Sequence, residues 1–319
     1  MHVLITGANG FIGRALSRRL CRQAQLGGAP LTRLSLLDLT LDDPPMAPFV
    51  RPVAGDLADV AWLRHTLDES PVDLIFHLAS IPGGMAEQQY ELARRVNLDA
   101  TLVLLEAGKK QVEAGGRAPV FVFASTIAVF GAMTGPVDDD TPLRPLLTYG
   151  AHKLVGEILV ADFSRHGWID GRSLRIPGVL ARPPARTGQL SAFLSDMVRE
   201  LAAGRAFTCP MSPAATTWAS SLPCVLTNLL HAATLPAASL VAGRSFTLPT
   251  LHFSMTQLVD AIASVHGTGV RDRVSYAPQE RIESLFGRFP QLATAAADAA
   301  GFHRDDDLPT LVRQAVVQD

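Results

Sequence analysis

Three features of the sequence predict an α/β fold: a doubly wound parallel sheet followed by a small C-terminal α/β lobe. Short runs that are apolar throughout alternate with longer helical patterns across the first half of the chain. Strands of that kind are buried on both faces, as in a parallel sheet covered by helices. A glycine-rich turn, Thr6-Gly7-Ala8-Asn9-Gly10-Phe11-Ile12-Gly13, directly follows the first such run. After Arg175-Ile176-Pro177 the alternation gives way to helices with only short strands among them, which marks the second lobe.

Taken in order, His2-Val3-Leu4-Ile5 leads into a strand over 3–6, and a helix is expected over 14–26. Leu34-Ser35-Leu36-Leu37-Asp38 is the second strand, followed by a proline-rich excursion through Asp42-Asp43-Pro44-Pro45. A short strand over 50–53 ends at Gly55-Asp56. A helix covers 60–67, and Leu74-Ile75-Phe76-His77-Leu78 is a buried strand. Residues 87–113 read as one long helix, 120–124 as a buried strand, 149–166 as a helix and 173–176 as a strand. The stretch Arg182-Pro183-Pro184-Ala185-Arg186-Thr187-Gly188 is a loop by composition. Beyond it, helices are expected near 191–203, 222–233 and 254–266, with Ser254 as N-cap of the last. Short strands are expected near 245–248 and 273–276. The predicted organisation is a nucleotide-binding domain over 1–177 and a lobe over 178–319 that is mainly substrate-binding, with some segments returning to the core.

A chain of 319 residues can bury one large core, or a core plus a smaller lobe. With 48% hydrophobic and 18% charged residues the composition is that of a soluble globular protein. A formal charge of −2 gives no reason to expect nucleic acid or an anionic membrane as partner. Cys21, Cys209 and Cys224 are scattered, with neither metal-ligand nor disulfide spacing, so no metal is expected and a reducing compartment suits them. No apolar stretch reaches the roughly 20 residues that span a bilayer. A cleaved leader would remove the turn that begins at Gly7, so the expected location is the cytoplasm.

Gly7, Gly10 and Gly13 stand between a strand and a helix, where a tight turn lets backbone approach a pyrophosphate at a helix N-terminus. This makes the predicted sheet Rossmann-type. Asp38, at the end of the second strand, can accept hydrogen bonds from ribose hydroxyls and would repel a 2′-phosphate, which favours NAD over NADP. Asp56 follows the third strand, within reach of an adenine edge.

Hydride transfer from an alcohol carbon to nicotinamide needs a base for the hydroxyl proton. Free tyrosine titrates near ~10, too high for that task at neutral pH. A lysine ammonium one helical turn away lowers it by favouring the phenolate. Tyr149 and Lys153, at i and i+4, share one helix face. Ser125-Thr126, just past a buried strand, supplies a hydroxyl donor to orient the substrate oxygen.

These segments, with Gly55-Asp56-Leu57, His77-Leu78-Ala79-Ser80 and Asn97-Leu98-Asp99-Ala100-Thr101, resemble the extended short-chain dehydrogenase/reductase superfamily over essentially the whole chain. The resemblance implies that Asn9, Phe11 and Ile12 of the turn, and Leu57 beside Asp56, meet the cofactor. It implies that Ala79 and Ser80 line the cofactor groove, that Pro177 packs beside the nicotinamide, and that Asn97 supports the region from the long helix. Counted back from Phe130-Gly131, the catalytic hydroxyl falls on Thr126, with Ser125 its neighbour.

Members acting on nucleotide-linked sugars typically carry Arg-Asp-Phe/Tyr and then Val-Asp-Asp, the arginine holding the diphosphate. Here the stretch is Thr216-Thr217-Trp218-Ala219-Ser220-Ser221-Leu222-Pro223, without either. Losing a charge-assisted partner worth roughly 1.5–3 kcal/mol argues against a sugar nucleotide. The more detailed resemblance is to the NAD-dependent D-erythronate dehydrogenase branch. It is carried by Arg95-Val96-Asn97-Leu98-Asp99, the run from Phe123 to Gly131, Asp139-Asp140-Thr141-Pro142-Leu143, the run from Glu157 to Arg165, Leu174-Arg175-Ile176-Pro177, and Asn228-Leu229-Leu230-His231-Ala232-Ala233. This implies oxidation of a small hydroxy acid. The branch has an arginine where Thr216 stands; Arg182 or Arg186 would then meet the substrate carboxylate. A sugar epimerase or dehydratase, and a non-catalytic NAD-binding regulator, are the alternatives. Extended members commonly dimerise through two helices on one face of the sheet, here 87–113 and 149–166, with Leu98, Leu102 and Leu105 as a candidate stripe, so a homodimer is expected.

Overall fold

A computed structural model describes residues 1–180, 192–240 and 243–316. Seven strands form the large sheet: β1 (His2–Thr6), β2 (Arg33–Asp38), β3 (Val50–Ala54), β4 (Leu74–His77), β5 (Val120–Thr126), β6 (Asp170–Ile176) and β7 (Ser245–Thr247). Their spatial order is β7-β6-β5-β4-β1-β2-β3. β1 is buried along its whole length because it pairs in parallel on both sides, Val3 facing Leu34 of β2 and Leu74 of β4. From β1 the chain steps outward to β2 and β3, then returns to lay β4 on the opposite side of β1. That reversal opens a crevice beyond the carboxyl ends of β1 and β4, where open α/β sheets bind ligands.

The helix after β1 spans Phe11–Gln23, shorter at its end than expected. Ala24 turns left-handed (φ 52°) with its N–H on the Leu20 carbonyl, and Gln25–Leu26 pairs with Ala29–Pro30 in a small hairpin. The long helix expected over 87–113 is broken. It consists of Gly83–Gln88, Tyr90–Arg94, a π turn at Arg95–Asp99, and Ala100–Glu113. The break falls at Gln89 (φ −128°, ψ 61°), and the π turn carries Asn97 inward, where its amide binds both backbone groups of Ile81. Thr148–Arg165 lies tightly on β5: a side chain at Gly156 would come within 2.4 Å of the Phe123 ring.

The chain divides into two compact units. The first comprises 1–131, 143–175 and 229–246; the second comprises 132–142, 176–228 and 247–319. The main division thus falls at 175/176 against the expected 177, while 132–142 belongs to the second unit and the strand expected near 245–248 is the edge of the large sheet. The first unit contains a core around Leu4, Ile75, Leu104, Phe121, Phe123 and Val160. The second is built on Met197, Leu201, Phe253, Leu258, Ile262 and Leu311. In it, Ser254 caps Met255–His266 through a reciprocal box with Gln257. Helices Glu280–Phe286, Ala295–Ala299 and Leu308–Val316 had no counterpart in the sequence reading. Among the described residues no helix is long and apolar enough to cross a membrane.

Candidate active site

At the carboxyl end of β1 the chain enters the glycine turn. Gly7 adopts φ 71°, and a side chain there would strike the Ala79 backbone nitrogen at 2.7 Å. Only glycine allows the turn to lie this close to the segment after β4. Gly10, extended and exposed, is the N-cap of Phe11–Gln23 and no side chain caps it. Backbone thus forms a shallow anion cradle at a helix start.

Asp38, at the end of β2, leans toward this turn. Its carboxylate accepts from Asn9 N at 2.8 Å and Leu39 N at 2.7 Å. Asn9 in turn fastens the following loop: its side chain donates to Asp42 at 3.1 Å and accepts from Asp42 N at 3.1 Å. Arg14 spans the Asn9 carbonyl (2.7 Å) and Asp42 (2.9 Å), and Arg18 pairs with Asp43 at 3.1 Å. Neither arginine, nor Asp42, is marked as a site residue by the sequence alone. Asp56 is exposed and accepts from Ala58 N at 2.8 Å in a tight turn, while the Leu57 side chain is buried in the core.

A buried chain of hydrogen bonds runs beneath the cradle. Thr6 Oγ1 meets His77 Nδ1 at 2.6 Å, and His77 Nε2 meets Thr101 Oγ1 at 2.7 Å. Thr101 then donates to the Asn97 carbonyl at 2.8 Å. Burial, and then the neighbouring Lys153, hold His77 well below its ordinary range, so the ring is neutral. Asn97 is itself 1% exposed, and its side chain is committed to Ile81. It sets the path of Ala79 (buried) and Ser80 (half-buried) along the crevice wall.

The proton-transfer candidates meet where β5 and the Thr148–Arg165 helix pack together. Tyr149 is half-buried and Lys153 is 2% exposed. The Lys153 ammonium lies 4.7 Å from the Phe123 ring centre and 5.8 Å from that of Tyr149. Burial pulls its pKa down to about 7, while Glu157 pulls the other way. Ser125 and Thr126 part company. Ser125 Oγ donates to Glu157 at 2.5 Å, so its proton is engaged inside the protein. Thr126 Oγ1 accepts from Ala128 N at 3.2 Å, which turns the chain into a short 3-10 helix at Ile127–Val129. Glu157 and its buried partner Arg175, to which the sequence assigns no role at the site, belong to this cluster. The signal was present: Tyr149, Lys153 and Glu157 recur every four residues on one helix face.

In the second unit, Pro177 is buried after β6. Thr216 donates to the Phe289 carbonyl at 2.8 Å, and Trp218 Nε1 donates to Pro290 O at 2.7 Å. Arg182 and Arg186 lie outside the described residues.

A backbone cradle with no room for a side chain at Gly7, beside an anchored carboxylate at Asp38, fits a dinucleotide whose adenosine ribose carries free hydroxyls. The family model described as NAD dependent epimerase/dehydratase matches residues 3–218. A D-erythronate dehydrogenase of Cupriavidus necator is 37% identical over 98% of this chain and 97% of its own length. A D-erythronate dehydrogenase of Haemophilus influenzae is 30% identical over 100% of both chains. Among solved structures, a nucleoside-diphosphate-sugar epimerase from Agrobacterium tumefaciens superposes with TM-score 0.92 at 30% identity, covering 98% of this chain and 92% of that one. An L-threonine dehydrogenase from Clostridium difficile, at TM-score 0.83 and 21% identity, shares the fold.

Proposed function

The chain belongs to the NAD-dependent epimerase/dehydratase family and uses NAD, and from that premise we propose that it oxidises D-erythronate to 2-dehydro-D-erythronate. Full-length similarity to two D-erythronate dehydrogenases carries the substrate reading. A half-buried tyrosine one turn from a buried lysine supports the chemistry. Gly7, Gly10 and Gly13 would hold NAD, with Asp38 at its adenosine ribose, and the bound nicotinamide would supply the hydride acceptor. Thr126 donates to the substrate oxygen and sets its angle. Tyr149 removes the hydroxyl proton, its phenolate favoured by the Lys153 ammonium. Lys153 would also donate to the ribose hydroxyls of the bound cofactor. The substrate carboxylate calls for a cation, and Arg182 and Arg186 are the residues we assign to it.

The family also includes epimerases and dehydratases, which return the hydride to their substrate. The absence of a diphosphate-binding arginine at Thr216–Ser221 favours the acid over a sugar nucleotide. A screen of C4 to C6 aldonic acids with NAD and NADP, followed at the nicotinamide absorbance, tests the reading. Net NADH formed from D-erythronate supports it, and no net NADH from any of the acids overturns it.

We further propose a cytoplasmic homodimer. Leu105 is packed inside its own core and cannot join a shared stripe. Leu102 (37% exposed), Val155 (42%) and Ile158 (61%) remain at the surface of the two helices and would be covered in a dimer. Light scattering during gel filtration checks this: a monomer at micromolar concentration contradicts it.

A further inference from the structure

Glu157 is buried at 4% exposure, and four donor contacts hold its carboxylate. Arg175 gives Nε to both oxygens at 3.1 and 3.2 Å and Nη2 to Oε2 at 2.8 Å. Ser125 Oγ gives the fourth contact. The Arg175 guanidinium also lies 5.5 Å from the Phe130 ring centre. The donors come from two strands. Ser125 is next to Thr126 at the end of β5, and Arg175 is the penultimate residue of β6. The carboxylate itself stands one turn beyond Lys153 and two turns beyond Tyr149. Around Lys153 are Phe123 from β5, neutral His77 from β4, and Tyr149 and Glu157 on its own helix.

A buried ammonium needs a nearby negative charge to remain protonated at neutral pH. We infer that Glu157 is the positioning residue for the proton transfer: clamped by Arg175 and Ser125, it keeps Lys153 protonated beside Tyr149 and ties the strand bearing Thr126 to the helix bearing Tyr149. This rests on the reading of Tyr149 as the base. When the Tyr149–Lys153 pair has lost one proton, it is either phenolate with ammonium or phenol with amine. Only the first can take a proton from substrate. Glu157 stands one helical turn from Lys153 and two from Tyr149, so its charge favours the active form. Without it, the proton is lost from the lysine and the phenolate forms only at higher pH.

The test is a pH titration of phenolate absorbance in the NAD complex, which needs no substrate. Of the three tyrosines, Tyr149 is assigned by difference from Tyr149→Phe. In Glu157→Gln we expect the Tyr149 midpoint to rise by about one pH unit or more, a tenfold or larger loss of phenolate at neutral pH. The rising limb of kcat should move with it, while NADH affinity changes by less than about threefold. Glu157→Asp should recover part of the shift. Glu157→Gln takes the carboxylate away from Arg175, so if it does not fold, the double variant Glu157→Gln/Arg175→Gln carries the test with a smaller shift of the same sign. An unmoved midpoint in the folded variant, even with reduced kcat, overturns the inference. Full activity in Tyr149→Phe would instead strike the assignment of the base.

Discussion

The glycine turn at residues 6–13 and the corner around Tyr149 belong to the same unit but are made from different materials. The turn is almost wholly backbone, shaped by a left-handed Gly7 and a close approach to Ala79. Asp38, held by two backbone amides, is half-exposed, and Arg14 meets the turn at the Asn9 carbonyl. The corner consists of buried side-chain charge, with Lys153, Glu157 and Arg175 all under one-tenth exposed. Backbone amides bind an anion without changing protonation, whereas buried side chains can move a proton because their ionisation is finely balanced. Damage to the turn should therefore appear in cofactor affinity, and damage to the corner in turnover, pH dependence and stability. Variants that crossed these categories would break the distinction.

The largest expected effect is Lys153→Met, which removes the cation we propose favours the phenolate. kcat should fall by about 10²–10⁴-fold, the usual weight of acid–base assistance. The same variant tests linkage. Lys153 titrates at about 7 in the folded chain, below its unfolded value. Between that pH and the ordinary lysine range near ~10.4, the unfolded chain binds more protons, so this residue makes stability rise with pH. Urea melts across that window should rise less steeply in Lys153→Met. Next is Arg175→Met, which leaves the Glu157 carboxylate buried without its cation and should cost about 3–5 kcal/mol by the same melts.

The turn should show smaller and different effects. Gly7→Ala forces a side chain into a left-handed site against Ala79, costing about 1–3 kcal/mol of stability. It should also weaken NADH binding in a fluorescence titration, with little change in kcat at saturating cofactor. Smallest is Asp38→Ser, which removes the carboxylate we propose for the ribose. The preference for NAD over NADP should fall about tenfold in kcat/KM, equivalent to about 1.4 kcal/mol.

The same contrast explains what could be read from the sequence. Apolar runs such as 74–78 and 120–124 announce strands because both faces of the sheet are buried, and Gly7 announces the turn because few other residues tolerate its backbone. Tyr149 and Lys153 are visible as an i, i+4 pair. Arg175 is not, since its partnership with Glu157 exists only once β6 lies beside the helix. By resemblance the count back from Phe130-Gly131 points to Thr126, and the Glu157 contact adds what the sequence could not, that the Ser125 hydroxyl is engaged inside the protein. The broken helix after 83 is not legible because Gln89 and the π turn carry no glycine or proline, and the Asn97 contact with Ile81 that accompanies the π turn is long-range. Ser245–Thr247 could not be singled out as a segment returning to the large sheet, because a three-residue strand bears no mark of the sheet it will join.

The central claim is that the Tyr149 phenolate takes a proton while NAD takes a hydride from a small hydroxy acid. Its most direct test is NADH yield from D-erythronate, wild type beside Tyr149→Phe, each saturated with NAD. The account predicts one NADH per molecule oxidised by the wild type, and a rate lower by about 10²-fold or more in the variant with NADH binding intact. Equal rates in the two, or conversion of D-erythronate without net NADH, would contradict it.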